Sequence, residues 1–133
     1  MQSKVVRLMS IALVLTAGAV PVKAETTNIA LRAGESADLK EVFYVVNCRS
    51  LLTAPMTVEM LEGLPGLTAS IRPAKVVPHI QNCAKPVEGG QLELSAAKDV
   101  SQKVEGDILL RVKYSTADGE RQKAYQFHVF LLP

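Results

Sequence analysis

The clearest alternation of apolar and polar residues lies at the C-terminal end of the chain. Residues 107–114 and 124–132 each alternate with the period of a β-strand. Between them lies Asp118-Gly119, a dipeptide that tolerates the positive φ angles of a two-residue hairpin turn. The pattern therefore predicts an antiparallel hairpin that is closed by these two residues.

The turn also predicts which side chains of the hairpin share a face. With Asp118-Gly119 as the loop, three apolar pairs fall on one face, because the side chains of a strand alternate with period two. These pairs are Val112–Tyr125, Leu110–Phe127 and Ile108–Val129. We expect this face to pack into the core of the domain.

The opposite face of the hairpin changes from polar near the turn to apolar further along. Arg111 and Lys113 lie on this face, whereas Arg121 and Lys123 would lie on the core face, with Lys123 opposite Tyr114. The apolar part is the first candidate for a partner surface, since exposed apolar patches often mark interaction sites. It comprises Leu109, His128, Phe130 and Leu132, with His128 opposite Leu109. The alternative is that another segment of the chain covers these side chains.

The remaining apolar runs are short, and most are separated by glycine or proline. The strands that they predict cover residues 27–31, 36–39, 42–46, 56–61, 67–71 and 91–95. A bulge is expected at Lys40-Glu41 and a type II turn at Pro65-Gly66. This spacing predicts an all-β fold, an antiparallel two-sheet sandwich, with a small open barrel as the alternative.

Residues 72–90 are the least regular part of the sequence and contain several prolines and the Gly89-Gly90 pair. Pro78 restricts residues 76–80 to an edge strand or a loop. Long ordered loops often carry binding residues, so this segment is the second candidate site. Its candidate residues are Lys75, His79, Gln81 and Asn82. The alternative is a plain crossover between the two sheets.

The N-terminal segment has the features of an export signal. Lys4 and Arg7 precede an uncharged apolar run over residues 8–20, and Ala24 offers a small residue for cleavage. The run is shorter than the about 20 residues that a membrane span needs. We expect residues 1–24 to be a cleaved signal peptide; an earlier cleavage site and an uncleaved anchor are the alternatives.

Cleavage after Ala24 would leave residues 25–133 as one domain in the periplasm or outside the cell. Because the segment that is removed contains three basic residues and no acidic one, the mature chain has twelve basic and thirteen acidic residues. A domain with this near-neutral charge has no general attraction to phosphates or to anionic lipid. We therefore expect no nucleic-acid partner and no stable membrane insertion after cleavage.

The two cysteines of the chain are Cys48 and Cys83. In an oxidising compartment an isolated pair most simply forms a disulfide, and two free thiols are the alternative. Closing a loop of this length should stabilise the fold by roughly 4 kcal/mol in the chain-entropy model.

Common catalytic and metal-binding motifs are missing from the sequence. A Gly-x-Ser-x-Gly nucleophile elbow is missing, and the cysteines and the two histidines, His79 and His128, lack the spacing of zinc ligands. Calcium-type acidic loops are also missing. We therefore expect a non-enzyme without a cofactor or metal; the alternative is an enzyme whose site forms only in the folded chain.

Two segments resemble bacterial immunoglobulin-like domains. Residues 62–73 read Glu-Gly-Leu-Pro-Gly-Leu-Thr-Ala-Ser-Ile-Arg-Pro and resemble the Gly-Leu-Pro-x-Gly-x-Thr-x-Ser phrase of that group. Residues 106–112, the Asp118-Gly119 turn and the final alternating strand resemble its last two strands. The chain is also similar to small exported alphaproteobacterial proteins in residues 81–83 and 111–114.

The resemblance implies an immunoglobulin-like sandwich over residues 26–132. The chain departs from antibody-type domains because it has no tryptophan and because its cysteines are closer together than an inter-sheet pair. We therefore expect the disulfide to hold a loop.

Together these features predict an exported, non-catalytic binding or structural module of the periplasm or cell envelope. Its expected partner is a protein or an envelope component. The alternative is a small secreted inhibitor or chaperone-like module that presents a loop or an edge strand to a protein target.

Overall fold

The computed structural model of the protein describes residues 27–80 and 82–133. All regular structure in these ranges is β-strand, which confirms the all-β prediction. The expected signal peptide and Gln81 lie outside the described residues. Within the described ranges, no helix is long and apolar enough to cross a membrane. The strands are β1 (Thr27–Arg32), β2 (Ser36–Val42), β3 (Val45–Val46), β4 (Arg49–Ser50), β5 (Thr57–Glu62), β6 (Leu67–Val76), β7 (Val87–Ala96), β8 (Val104–Thr116) and β9 (Gly119–Leu132).

The strands form two main sheets that share one hydrophobic core. The first sheet has the order β1-β9-β8-β5 and the second has the order β2-β7-β6, while β3 and β4 form a separate small hairpin. Leu92 and Leu94 of the second sheet lie in the same buried cluster as Ile108, Leu110 and Val129 of the first. Burial of these apolar side chains is the main force that holds the sheets together.

The expectation of purely antiparallel sheets is wrong at one edge, where β1 runs parallel to β9. β1 is the first strand of the domain and β9 is the last, so no short turn connects them and requires opposite directions. All other strand pairs are antiparallel.

The C-terminal hairpin forms as predicted, but its register differs by two residues. Thr116 pairs with Gly119, so the loop is Ala117-Asp118 rather than Asp118-Gly119. Gly119 has a φ of 113°, and the Thr116 hydroxyl donates a hydrogen bond of 2.8 Å to the Gly119 carbonyl oxygen. The glycine therefore takes the first position after the loop. A shift of two residues leaves every side chain on its expected face, so the prediction of the core face is confirmed.

The corrected register changes which residues are neighbours across the hairpin. Each of the three predicted apolar pairs is displaced by two residues. Arg121, and not Lys123, lies opposite Tyr114. Asp107 lies opposite His128, which places a carboxylate where an apolar side chain was expected.

The predicted strand over residues 42–46 is interrupted. β2 ends at Val42, and the chain then turns into β3, which pairs with β4 around Asn47-Cys48. Both residues have positive φ angles, as a two-residue hairpin turn of the primed type requires. The apolar run alone could not reveal this break, because a continuous strand has the same composition.

Two local backbone features follow the sequence more closely. The register of β2 shifts between Asp38 and Lys40, so a bulge lies beside the predicted position. The predicted type II turn is also present. Gly66 has a φ of 84°, and the Leu67 backbone N–H donates to the Leu64 carbonyl oxygen at 3.2 Å.

The irregular segment predicted over residues 72–90 is much shorter in the structure. β6 continues to Val76 and β7 begins at Val87, so only residues 77–86 form the loop. β6 lies at the edge of its sheet, where Pro73 is tolerated because the missing N–H need not bond to a neighbouring strand. Of the two possibilities for residues 76–80, the structure has the loop and not an edge strand.

Gly89 lies within β7, at a position where its neighbours leave no room for a side chain. A Cβ atom at this position would lie 2.7 Å from the Val42 carbonyl oxygen and 2.7 Å from Cγ2 of Val76. The residue thus marks close packing of β7 against adjacent backbone, and not the flexible loop that its composition suggested.

Candidate functional site

The first predicted surface lies on the outer face of the four-stranded sheet. Leu109, His128, Phe130 and Leu132 are all half-buried there, and the His128 and Phe130 rings meet edge to face with 4.9 Å between their centroids. The structure therefore brings these four residues to one face, as the strand pattern predicts. Their role as a partner surface stays a prediction.

Carboxylates from β8 hold both nitrogens of the His128 ring. Nδ1 lies 2.7 Å from Oδ1 of Asp107, and Nε2 lies 2.8 Å from Oε1 of Glu105. The Glu105 and Asp107 carboxylates raise the pKa of His128 above its ordinary value of 6.5. Since the two acids approach opposite sides of the ring, they do not converge on one point with the imidazole, and no metal-ligating cluster forms in the described part of the chain.

We expect His128 to stabilise the fold most strongly below pH 6.5 and less strongly as the pH rises through its raised folded-state pKa. The unfolded chain loses the histidine proton first, whereas the folded chain retains it between the two carboxylates. A His128→Asn variant should lose this pH-dependent part of its stability. Urea unfolding between pH 5.5 and pH 9 would measure the effect.

His79→Asn is the matched control, because His79 is exposed in the loop and has no acidic partner among the described residues. This variant should keep the pH dependence of the unmodified protein. If the free energies of unfolding of the unmodified protein and of His128→Asn changed equally with pH, the pH dependence would not come from His128.

The outer basic residues of the hairpin share one acid of β5. Arg111 Nη2 lies 2.6 Å from Oε2 of Glu59, and Lys113 Nζ lies 3.7 Å from the same oxygen. Arg111 holds the pKa of Glu59 below its ordinary value. These two cations therefore form a local ion-pair cluster in which Glu59 compensates part of their charge.

The second predicted surface is divided by the structure. Lys75 lies on β6, with its Nζ 3.8 Å from Glu88, so it is not a loop residue. His79 and Asn82 are exposed in the loop 77–86, and Asn82 has a positive φ angle of 57°. Gln81 lies outside the described residues. A shared binding role of these four residues stays a prediction.

The predicted disulfide joins the loop 77–86 to the turn of the β3–β4 hairpin through Cys83 and Cys48. Neither cysteine lies in the centre of a main sheet, so the bridge holds a loop, as its spacing suggested. It therefore stabilises the position of two connections at one end of the domain.

A third surface, which was not among the predicted ones, lies beside these connections. It is a groove of about 470 Å³ between residues 40–45 and the turn-proximal part of β9. All three tyrosines of the chain line it. We call it the tyrosine groove; its lining residues are Lys40, Glu41, Val42, Phe43, Tyr44, Val45, Ile80, Tyr114, Arg121, Gln122, Lys123 and Tyr125.

The tyrosines form a connected set. The Tyr114 and Tyr125 hydroxyl oxygens are 3.2 Å apart, and the Tyr44 and Tyr114 ring centroids are 5.7 Å apart. Burial and the Tyr125 hydroxyl raise the pKa of Tyr114, so its hydroxyl keeps its proton. The two hydroxyls together carry two protons, and only one is needed for the bond between them. The other proton can be donated to an acceptor in the groove.

Two cations flank the half-buried Tyr125 ring. Nζ of Lys40 lies 5.1 Å from the ring centroid and Nζ of Lys123 lies 5.3 Å from it, which is the range of cation–π contacts. Arg121 lines the same groove. In contrast to Arg111 and Lys113, none of these three cations forms an ion pair with an acid of the described residues. The groove therefore offers positive charge and a hydroxyl donor to an anion.

Exposed apolar side chains gather beside the groove. Val46 and Leu51 lie in or just after the β3–β4 hairpin, and Val77 and Ile80 lie in the loop that the disulfide joins to it. Ile80 lines the groove and is 43% exposed. Exposed apolar side chains that gather beside tyrosines are typical of surfaces that bind other proteins.

One signal in the sequence indicated this groove. Arg121, Lys123 and Tyr125 are alternate residues of one strand and therefore share a face. Two cations are thus expected on the core face of the hairpin near its turn. Cations on that face need an opening to solvent. The contribution of Lys40, Tyr44 and Ile80 had no such signal, because these residues are distant in sequence.

Neither a protein-family model nor a curated protein matches the chain. The functional proposal therefore rests on the fold, the groove and the sequence features given above.

Proposed function

We propose that this chain is an exported, non-catalytic binding module of the periplasm or cell envelope, with an immunoglobulin-like sandwich that presents the tyrosine groove to a partner. The observation that carries this proposal is the convergence of three tyrosines and three uncompensated cations at one end of the domain. The alternative of an inhibitor or chaperone-like module uses the same end of the fold.

The strand order supports the immunoglobulin-like assignment. Without the small β3–β4 hairpin, seven strands remain, and in chain order they correspond to strands A to G of that fold. The second, fifth and fourth of them form one sheet, and the third, sixth and seventh form the other, as in immunoglobulin domains. The first strand pairs with the last, and two separate sheets favour a sandwich over a barrel.

The position of the groove supports a binding role. It lies between the end of the second main strand and the hairpin of the last two strands, beside the loop that joins the fourth and fifth. In antibody variable domains, the connections after the second strand and between the last two strands belong to the antigen-binding end. Residues in such connections can change without loss of the core.

The chemistry of the lining supports binding without catalysis. The residues of the groove include no histidine, serine or cysteine, and Glu41 is their one carboxylate. The lining therefore lacks the Ser–His and Cys–His pairs that activate the nucleophile in common hydrolases. The disulfide supports the expected export, because such bonds persist in oxidising compartments.

The proposal predicts that partner contacts are made through the groove in intact cells. A photo-cross-linking residue at Gln122 should yield a covalent complex with another protein or an envelope component. The same probe at Leu109 tests the outer face, and a probe at Asn82 tests the loop. Mass spectrometry of the products would identify what is bound.

Charge reversal provides the matched comparison. Lys123→Glu should remove the complex formed through Gln122, whereas Lys103→Glu, which changes the same charge on an exposed loop, should not. Cross-linking through Leu109 without any through Gln122 would reject the groove and favour the outer face of the sheet.

A further inference from the structure

Part of β9 has an open edge. β8 pairs with β9 along its whole length from Gly119, whereas β1 pairs only with residues 127–132. Among residues 27–80 and 82–133, no strand pairs with the other edge of residues 119–126.

Residues that have this open edge also line the tyrosine groove. Residues 121–123 and Tyr125 of β9 line it, and the end of β2 and the following residues form the opposite wall. In a β-ladder, alternate residues direct their backbone N–H and C=O groups away from the partner strand. The groove therefore contains unpaired backbone donors and acceptors as well as cations.

We propose, on the basis of the function proposed above, that the groove binds an extended acidic polypeptide segment of the partner. The segment adds as a strand to residues 119–126 of β9, in line with β1. Its carboxylates lie near Lys40 and Lys123, and an apolar side chain of the segment contacts Ile80. Strand addition to an exposed edge is an established mode of peptide recognition, in which backbone bonds provide affinity and side chains provide specificity.

The charge of the groove selects an acidic segment. Lys40 and Lys123 both lie beside the Tyr125 ring and have no acidic partner among the described residues, so a carboxylate in the groove can pair with either of them. The free hydroxyl proton of the Tyr114–Tyr125 pair provides a further donor. Lysines on an edge also discourage pairing with neutral or basic strands, so the same residues limit self-association.

The open backbone distinguishes a polypeptide from an acidic saccharide. The hydroxyls of a saccharide can donate and accept hydrogen bonds, but a saccharide lacks the regular N–H and C=O repeat that matches residues 119–126. The exposed Ile80 also favours a ligand with apolar side chains. Both observations favour a polypeptide.

The test uses the oxidised, exported protein and defined probes. The first probe is an eight-residue peptide of alternating glutamate and valine, with both ends blocked. The others are the lysine–valine peptide, the glutamate–valine peptide with alternate backbone amides N-methylated, and a tetramer of galacturonate. Binding is followed by NMR titration, and hydrogen exchange is measured at the amides of residues 119–126.

We expect the glutamate–valine peptide to shift the groove resonances and to slow exchange at alternate amides of residues 119–126 at least tenfold. The lysine–valine and N-methylated peptides should bind at least tenfold more weakly. Lys40→Glu and Lys123→Glu should each weaken binding of the acidic peptide about tenfold, while Lys103→Glu should leave it unchanged.

Three outcomes would overturn the inference. Equal binding of the N-methylated peptide would exclude strand addition, and binding of galacturonate alone would assign the groove to a saccharide. Both results would leave the proposed binding function intact. Absence of any groove shift with the acidic peptide would also overturn the inference, while the cross-linking in cells decides separately whether the groove contacts a partner.

Discussion

Replacing Cys48 and Cys83 together with serine should lower the free energy of unfolding by about 4 kcal/mol. The bridge joins residues 35 apart in sequence, and removing it gives the unfolded chain more conformational entropy. Urea unfolding of the oxidised protein and of the double variant would measure the difference. The unmodified protein under reducing conditions is the control and should match the variant.

The effect of this double substitution should also be visible at the groove. The bridge holds the loop 77–86 against the β3–β4 hairpin, so amides near Ile80 should exchange faster in the variant. Hydrogen exchange at amides of the central strand β8 should increase only as much as the lower free energy of unfolding requires. A loss of less than about 1 kcal/mol with unchanged exchange near Ile80 would contradict this role of the bridge.

Leu110→Ala should reduce the free energy of unfolding by about 2–5 kcal/mol, which is the range for truncation of a buried leucine. Leu110 has no exposed surface, and it lies on β8, between β5 and β9 in the four-stranded sheet. The substitution removes apolar contacts and leaves a cavity that the strand packing can fill only partly. Urea unfolding at constant pH would measure the loss.

Leu109→Ala is the matched control, since it changes the same residue type at the next position of the same strand. Leu109 points to the opposite face and is half-buried, so its truncation should cost about 1 kcal/mol. Equal losses for the two variants would mean that the faces of β8 are wrongly assigned.

The hairpin shows how far sequence reasoning reaches. The alternation of β8 and β9 predicts both strands and the face that each side chain occupies, because these properties depend only on local period. The register depends on the turn: moving the two-residue loop by one position shifts the register by two residues and keeps the same alternation. The choice of Gly119 for the position after the loop decided between the two registers.

The two-residue shift in register changes the outer face of the β8–β9 hairpin. The predicted register places His128 beside an apolar side chain, whereas the observed one places it between Glu105 and Asp107. The same residues therefore form a partly charged surface instead of a purely apolar one. The sequence predicts the face of the hairpin on which His128 lies, but not the residues that surround it on that face.

The sequence by itself determined the β-strand content, the core face of the C-terminal hairpin and the two cysteines available for a bridge. These follow from side-chain period, turn residues and composition, all of which act locally. Only the tertiary structure decided the parallel pairing of β1 with β9, the short loop before β7 and the tyrosine groove. The groove unites residues that are up to 85 positions apart, from Lys40 to Tyr125. Their meeting depends on how the two sheets pack, because local propensity cannot specify contacts between distant strands.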